Sequence, residues 1–157
     1  MVVYFHGLES DSTGPKHTFL KKRYGDVYAP KMDYRKNHNL FNDTYEQLKN
    51  QKIDIISGSS MGGYFAYYMG KKLGVPTILF NPALPYRGSF EPNMDKSGRR
   101  TPQQHIILGH DDTVIIPEDT VKWLEDNEIR TDYDIHWGNH AHRTPYNVFT
   151  KAFKDFG

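Results

Sequence analysis

The sequence predicts an α/β fold: a mainly parallel sheet of about six strands with helices on both faces. Three observations lead there. Short runs rich in β-branched and aromatic residues recur along the chain, and stretches with helical spacing separate them. Glycine and proline stand where such elements start and stop. Strands that alternate with helices require right-handed crossovers, which make neighbouring strands parallel. At 157 residues, one domain over 1–157 with a single three-layer core is expected.

Met1 to Phe5 is short and apolar throughout, as a buried strand should be. His6 to Gly14 is a polar, glycine-bearing loop. Pro15 suits the first turn of a helix that runs to about Tyr24, with Gly25 as its stop. Asp26 to Ala29 reads as a second strand closed by Pro30, and a helix from about Asn42 to Gln51 follows. Ile53 to Ser57 is the third strand, and after a tight turn a helix continues to about Leu73. Gly74-Val75-Pro76 ends it, and Thr77 to Phe80 is the fourth strand. Residues 81–103 form the longest irregular piece, proline-rich and without periodicity, a candidate lid. His105 to Leu108 is the fifth strand. Pro117 opens a helix to about Asn127, Tyr133 to Trp137 is the sixth strand, and a last helix covers about Pro145 to Phe156. Its Tyr146, Phe149, Phe153 and Phe156 recur at helical spacing. No repeat or linker interrupts this order.

Composition narrows the function classes. The formal charge is +1, from 20 basic and 19 acidic residues, which argues against nucleic-acid or membrane binding by bulk charge. The absence of cysteine excludes disulfides, thiol catalysis and cysteine-ligated zinc, and it suits a cytoplasmic setting. The N-terminal apolar run is too short for a signal peptide, and no stretch has the length of a membrane span. Aromatic residues make up 14% of the chain, so burial should rely on large rings as well as aliphatic packing.

The chemistry centres on Gly58-Ser59-Ser60-Met61-Gly62, a G-x-S-x-G sequence between a strand and a helix. In a nucleophile elbow the serine sits on a strained turn that lifts its hydroxyl above the sheet. Glycines two before and two after it leave room for the reversal, and the following helix aims free N–H groups at the site. Gly58 to Gly63 also has the outer spacing of a phosphate-binding loop. Tyr64 and Phe65 stand where that loop needs Lys and Ser/Thr, which argues against ATP or GTP binding of that type.

Ligands of parallel sheets bind beyond the C-terminal strand ends. Four of these ends carry capable residues: His6-Gly7, Ser60, Asp111-Asp112 and His140. Serine becomes nucleophilic when a base takes its proton, and the base needs an acid to set its tautomer. The order Ser, Asp, His is the one expected on a hydrolase sheet. We read Asp112, in Gly109-His110-Asp111-Asp112-Thr113-Val114, as the acid in preference to Asp111. We read His140, framed by Gly138 and Asn139, as the base in preference to His142 or His136. The N–H groups of Met61 and Leu8 are the candidate oxyanion donors, with Gly7 allowing close approach and His6 anchoring its loop.

Taken together, Tyr4-Phe5-His6-Gly7-Leu8 with Ser10 and Ser12, the elbow through Tyr64, Phe80-Asn81-Pro82-Ala83 with Pro85-Tyr86, the Asp112 loop and Gly138-Asn139-His140-Ala141 resemble small bacterial α/β-hydrolase esterases of the YqiA type. The resemblance spans nearly the whole chain. It implies a compact α/β-hydrolase and a carboxylesterase with Ser60, Asp112 and His140 as triad, acting without a cofactor on a small acyl ester or thioester. The chain departs from the family in two places. The 81–103 excursion looks shortened, and His142 stands where an aromatic residue is expected. The acyl pocket walls read from the sequence are Leu8, Met61, Tyr64, Leu84 and Tyr86, a shallow set that suits short acyl groups. Lys96, Arg99 and Arg100 could favour an anionic substrate. Two other readings compete: a metal-dependent hydrolase using His110, Asp111, Asp112, His136, His140 and His142, and a non-catalytic binding domain on the same fold.

Overall fold

The structure is a computed structural model that describes residues 1–86 and 102–157. Six parallel strands form one sheet: β1 (Val2–Phe5), β2 (Val27–Tyr28), β3 (Ile55–Ser59), β4 (Thr77–Phe80), β5 (Gln104–Gly109) and β6 (Tyr133–Gly138). Their spatial order is β2-β1-β3-β4-β5-β6. The chain leaves β1 for the β2 edge, returns across the sheet to β3, and then moves steadily to β6. That reversal puts the switch point, where ligands of such sheets bind, between β1 and β3.

Five α-helices cover the faces: α1 (Pro15–Tyr24), α2 (Leu40–Leu48), α3 (Met61–Leu73), α4 (Pro117–Asn127) and α5 (Tyr146–Phe156). The alternation of side chains along each strand divides the core in two. Val3, Phe5, Ile56, Leu79, Ile106 and Leu108 meet Phe41 and Leu48 of α2, Phe65 and Met69 of α3, and Leu124 of α4. Val2, Tyr4, Ile55, Ile78, Phe80 and Ile107 meet Leu20 of α1 and Phe149 and Phe153 of α5. Aromatic rings carry much of this packing, as their abundance implies. Phe5 meets Phe65 edge-on at 4.8 Å, and Phe80 stacks on Phe149 at 4.9 Å.

Element boundaries follow the sequence reading closely, with two informative shifts. β3 begins at Ile55 rather than Ile53, because Val2 pairs with Ile55 and the chain is pinned one residue earlier. Asp54 N–H donates to the Met1 carbonyl at 2.9 Å, and the Met1 ammonium donates to the Asp54 carboxylate at 2.6 Å. The strand therefore extends through Gly58 to Ser59 and delivers Ser60 directly to the sheet edge. α2 shifts the other way, starting at Leu40 instead of about Asn42, and buries Phe41, Thr44 and Leu48 on one stripe. Residues 87–101 of the 81–103 candidate lid, with Lys96, Arg99 and Arg100, lie outside the described residues. Among the described residues no helix is long and apolar enough to cross a membrane.

α3 lies close against β1 because Gly62 has no side chain. A Cβ there would sit 2.1 Å from the Phe5 carbonyl oxygen and 2.5 Å from that of His6, both backbone atoms that cannot rotate away. Gly62→Ala is therefore expected to destabilise the fold by about 3 kcal/mol, the upper end for overpacking. Gly74→Ala provides the contrast. Its Cβ would meet nothing within 4 Å, at a left-handed φ of 71°, so only the backbone cost of about 1 kcal/mol is expected. Urea unfolding of the two variants checks the ranking.

Candidate active site

Ser60 joins β3 to α3 with φ 55° and ψ −118°, a conformation that side-chain-bearing residues rarely adopt. Such strain costs on the order of 1–3 kcal/mol and persists only where neighbours enforce it. They do so here from both directions. Ser60 N–H donates to the Phe80 carbonyl at 3.0 Å, and the Ser60 carbonyl accepts from Tyr64 N–H and Ala83 N–H, each at 3.0 Å. The turn closes because Gly58 lacks a Cβ, which would stand 2.1 Å from the Gly62 carbonyl oxygen. The helix that follows directs its N-terminal N–H groups at the serine.

Asp112 follows β5 and is buried, at 3% exposure. An ionised carboxylate at such a place needs donors. Oδ1 accepts from Val114 N–H at 2.8 Å and Ile115 N–H at 3.0 Å. Oδ2 lies 2.8 Å from His142 Nδ1, and His142 Nε2 lies 3.1 Å from Ser60 Oγ. With the carboxylate accepting, Nδ1–H donates to Asp112, and Nε2 keeps the lone pair that accepts the hydrogen bond from the Ser60 hydroxyl.

The histidine between Ser60 and Asp112 is thus His142, whereas His140, read from the sequence as the candidate base, is placed away from that line. After β6 the chain folds back, so the His140 ring lies over the ends of β5 and β6. A Cβ on Gly109 would be 2.6 Å from its Nδ1, and one on Gly138 would be 2.6 Å from its Cδ2. His140 Nδ1–H donates to the Ala141 carbonyl at 2.8 Å, and the residue is only 6% exposed. Two residues later the loop returns to the sheet edge and presents His142. The departure at position 142, an imidazole in place of an aromatic ring, was the signal in the sequence.

The other candidates fall into place around this line. Asp111 is exposed, and no polar contact of its carboxylate is seen among the described residues. Gly7 passes against the elbow: a Cβ on it would be 3.3 Å from the Ser59 carbonyl oxygen and 3.5 Å from Ser60 Cβ. This brings the loop carrying Leu8 beside Ser60, and Met61 is the residue that follows it. His6 anchors that loop, with Nδ1–H donating to the Gly7 carbonyl at 2.7 Å and Nε2 accepting from Met32 N–H at 2.9 Å. Tyr34 Oη donates to the His6 carbonyl at 2.5 Å. Of the pocket walls, Tyr64 and Leu84 are core residues, 3% and 2% exposed, whereas Leu8 and Tyr86 are open to solvent. The set invoked for a metal is dispersed. His110 stacks on Trp137, and His136 packs with His105 and Phe156. Among the described residues no group of three or more His, Asp or Glu side chains is arranged to hold a metal ion.

Comparison with known proteins agrees with this geometry at the level of fold. The model of an uncharacterised protein family, UPF0227, matches residues 1–122. A UPF0227 protein of Vibrio vulnificus is 27% identical over 92 residues, 54% of this chain and 51% of that protein. The chain thus spans about half the length of the first curated relatives it matches. The UPF0227 protein YcfP of Escherichia coli is 24% identical over an alignment of 191 positions that covers all of both chains. Among solved structures, a protein of the alpha/beta hydrolase superfamily from Xanthomonas campestris superposes with a TM-score of 0.71 at 18% identity, covering 98% of this chain and 94% of that one. A monoacylglycerol lipase from Paleococcus ferrophilus gives 0.67 at 13% identity, covering 98% and 91%. The fold is that of the α/β hydrolases.

The hydrogen-bonded line makes a spectroscopic prediction that needs no substrate. The His142 Nδ1 proton, held against a buried carboxylate, should give a far-downfield proton resonance. His142→Ala and Asp112→Asn should each abolish it, and His140→Ala should retain it. Loss of the resonance in His140→Ala alone would reverse the assignment.

Proposed function

The chain belongs to the uncharacterised family UPF0227, and we propose that it works as a serine-dependent carboxylic ester hydrolase. The observation that carries the proposal is the unbroken line Asp112–His142–Ser60, at 2.8 and 3.1 Å, at the end of a strained elbow. His142 Nε2 takes the Ser60 proton as Oγ attacks the carbonyl carbon of the ester. Asp112 holds the ring in the tautomer that can do so and stabilises the imidazolium that forms. His142 then gives the proton to the leaving alkoxide, which departs as an alcohol and leaves an acyl group on Ser60. Water, deprotonated by the same imidazole, attacks the acyl-enzyme and releases the acid.

The negative oxygen that develops in each half-reaction would be met by the N–H groups of Met61 and Leu8. Met61 stands at the positive end of α3, and the Gly7 loop brings Leu8 alongside. Donors fixed in place before the reaction stabilise this charge without reorganisation. The lipase name of the Paleococcus ferrophilus neighbour belongs to that protein and comes to this chain only as support for the substrate class. Within that class we favour short acyl esters or thioesters, because Tyr64 and Leu84 are packed into the core instead of opening a deep tunnel.

Hydrolysis of p-nitrophenyl acetate tests the reading. Ser60→Ala should abolish turnover with little change in stability. Asp112→Asn should lower kcat by about 10⁴ through the wrong histidine tautomer. His142→Ala should be far more damaging than His140→Ala, and dialysis against EDTA should leave the rate unchanged. Substantial activity in Ser60→Ala would remove the serine from the mechanism, and loss on chelation would favour a metal-dependent one.

A further inference from the structure

We propose that Asn81 is the positioning residue of this site, fixing the loop of the base to the strand of the acid and setting the distance between His142 and Ser60. The inference rests on the serine-hydrolase reading, and it concerns a side chain that touches none of the reacting atoms. Asn81 follows β4, is 2% exposed, and has φ 42°, the only non-glycine besides Ser60 with positive φ among the described residues. Its side-chain oxygen accepts from Gly109 N–H at 2.8 Å, at the end of the strand that leads to Asp112. Its amide nitrogen donates to the His142 carbonyl at 2.8 Å and the Ala141 carbonyl at 3.4 Å.

The orientation of the amide follows from these partners. Reversing it would set an NH₂ against an N–H and an oxygen against two carbonyls. A buried amide satisfied on both sides in this way is a side-chain clamp between the two segments, beyond the backbone bond from Asp111 N–H to the His140 carbonyl at 3.1 Å.

The same short segment reaches the nucleophile. Asn81 N–H donates to the Ile107 carbonyl at 2.9 Å, and Ala83 N–H donates to the Ser60 carbonyl at 3.0 Å. A Cβ on Gly63, three residues after the serine, would be 2.9 Å from Pro82. Asn81-Pro82-Ala83 therefore borders all three parts of the line: the elbow through Ala83 and Pro82, the acid strand through Gly109, the base loop through His142. The backbone at 81 alone does not explain asparagine, because glycine adopts positive φ at lower cost. What asparagine adds is the set of side-chain hydrogen bonds. His142 is carried on a loop, outside any helix or strand, so its main-chain carbonyl is where such a clamp acts most directly on the imidazole.

Asn81→Gly isolates this contribution, since it keeps the backbone conformation and deletes only the side chain. The variant is expected to fold, to lose about 10²-fold in kcat on p-nitrophenyl acetate through misplacement of the base, and to leave KM nearly unchanged. Its far-downfield His142 Nδ1 proton should broaden or vanish. Asn81→Asp, which keeps the acceptor for Gly109 but has no donor for the His142 carbonyl, should lose a similar factor. A folded Asn81→Gly or Asn81→Asp with kcat within twofold of wild type and an intact proton resonance would overturn the proposal. If neither variant folds, hydrogen exchange in the wild type decides. Gly109 N–H and the Asn81 side-chain amide should exchange as slowly as sheet amides, and exchange at surface rates would overturn it. Failure of the serine-hydrolase reading is seen separately, as absence of Ser60-dependent hydrolysis in the wild type, whereas the proton resonance reports on the clamp whatever the substrate.

Discussion

The site depends on one constraint, the close approach of backbone to backbone around Ser60. A serine at φ 55° does not hold that conformation alone. It is held because Gly58 and Gly62 bring strand, helix and the neighbouring β1 within distances that a single methyl group would forbid. Hydrogen bonds from the β4 end then fix the serine backbone at its N–H and at its carbonyl. The fold supplies the energy that keeps the turn strained, through aromatic packing on both sheet faces. The strain in turn exposes Oγ at the crevice where the chain reverses between β1 and β3.

Electrostatics complete what the geometry begins. Removing a carboxylate from water costs several kcal/mol unless donors and an opposite charge replace the solvent. Asp112 has two backbone N–H groups on one oxygen and His142 on the other. That arrangement keeps it an acceptor and commits the imidazole to one tautomer. The carboxylate is buried and the imidazole is partly open, so in the proposed mechanism a charge on His142 would be stabilised from one side and reachable by substrate from the other.

The fold was legible because its signals are local. Pro15 and Pro117 open helices, Gly25 and Gly74 close them, and the apolar runs fall where strands lie. Ser60 and Asp112 were legible for a related reason: each follows a strand directly, so sequence position nearly determines spatial position. His142 was not, because between β6 and the site the chain folds back on itself. His140 fits into space left by Gly109 and Gly138, and the residue two places further on reaches the sheet edge. Packing against strands distant in sequence decides that choice, and the sequence marked it only by the departure at position 142. Tyr64 and Leu84 were misread in a similar way. Proximity to the elbow suggested pocket walls, but helical phase and the turn after β4 direct them into the core. Asn81 was visible only as part of a resemblance, and its role emerges from contacts with residues 28 and 61 positions away.

The central claim is that Ser60 is a nucleophile activated by His142. Its most direct measurement is reaction of the intact protein with a fluorophosphonate, followed by peptide mass spectrometry. One adduct per chain, on Ser60, forming rapidly in the wild type and in His140→Ala but very slowly in His142→Ala, is the result this account predicts. No adduct, an adduct on Ser59, or equal labelling rates with and without His142 would contradict it.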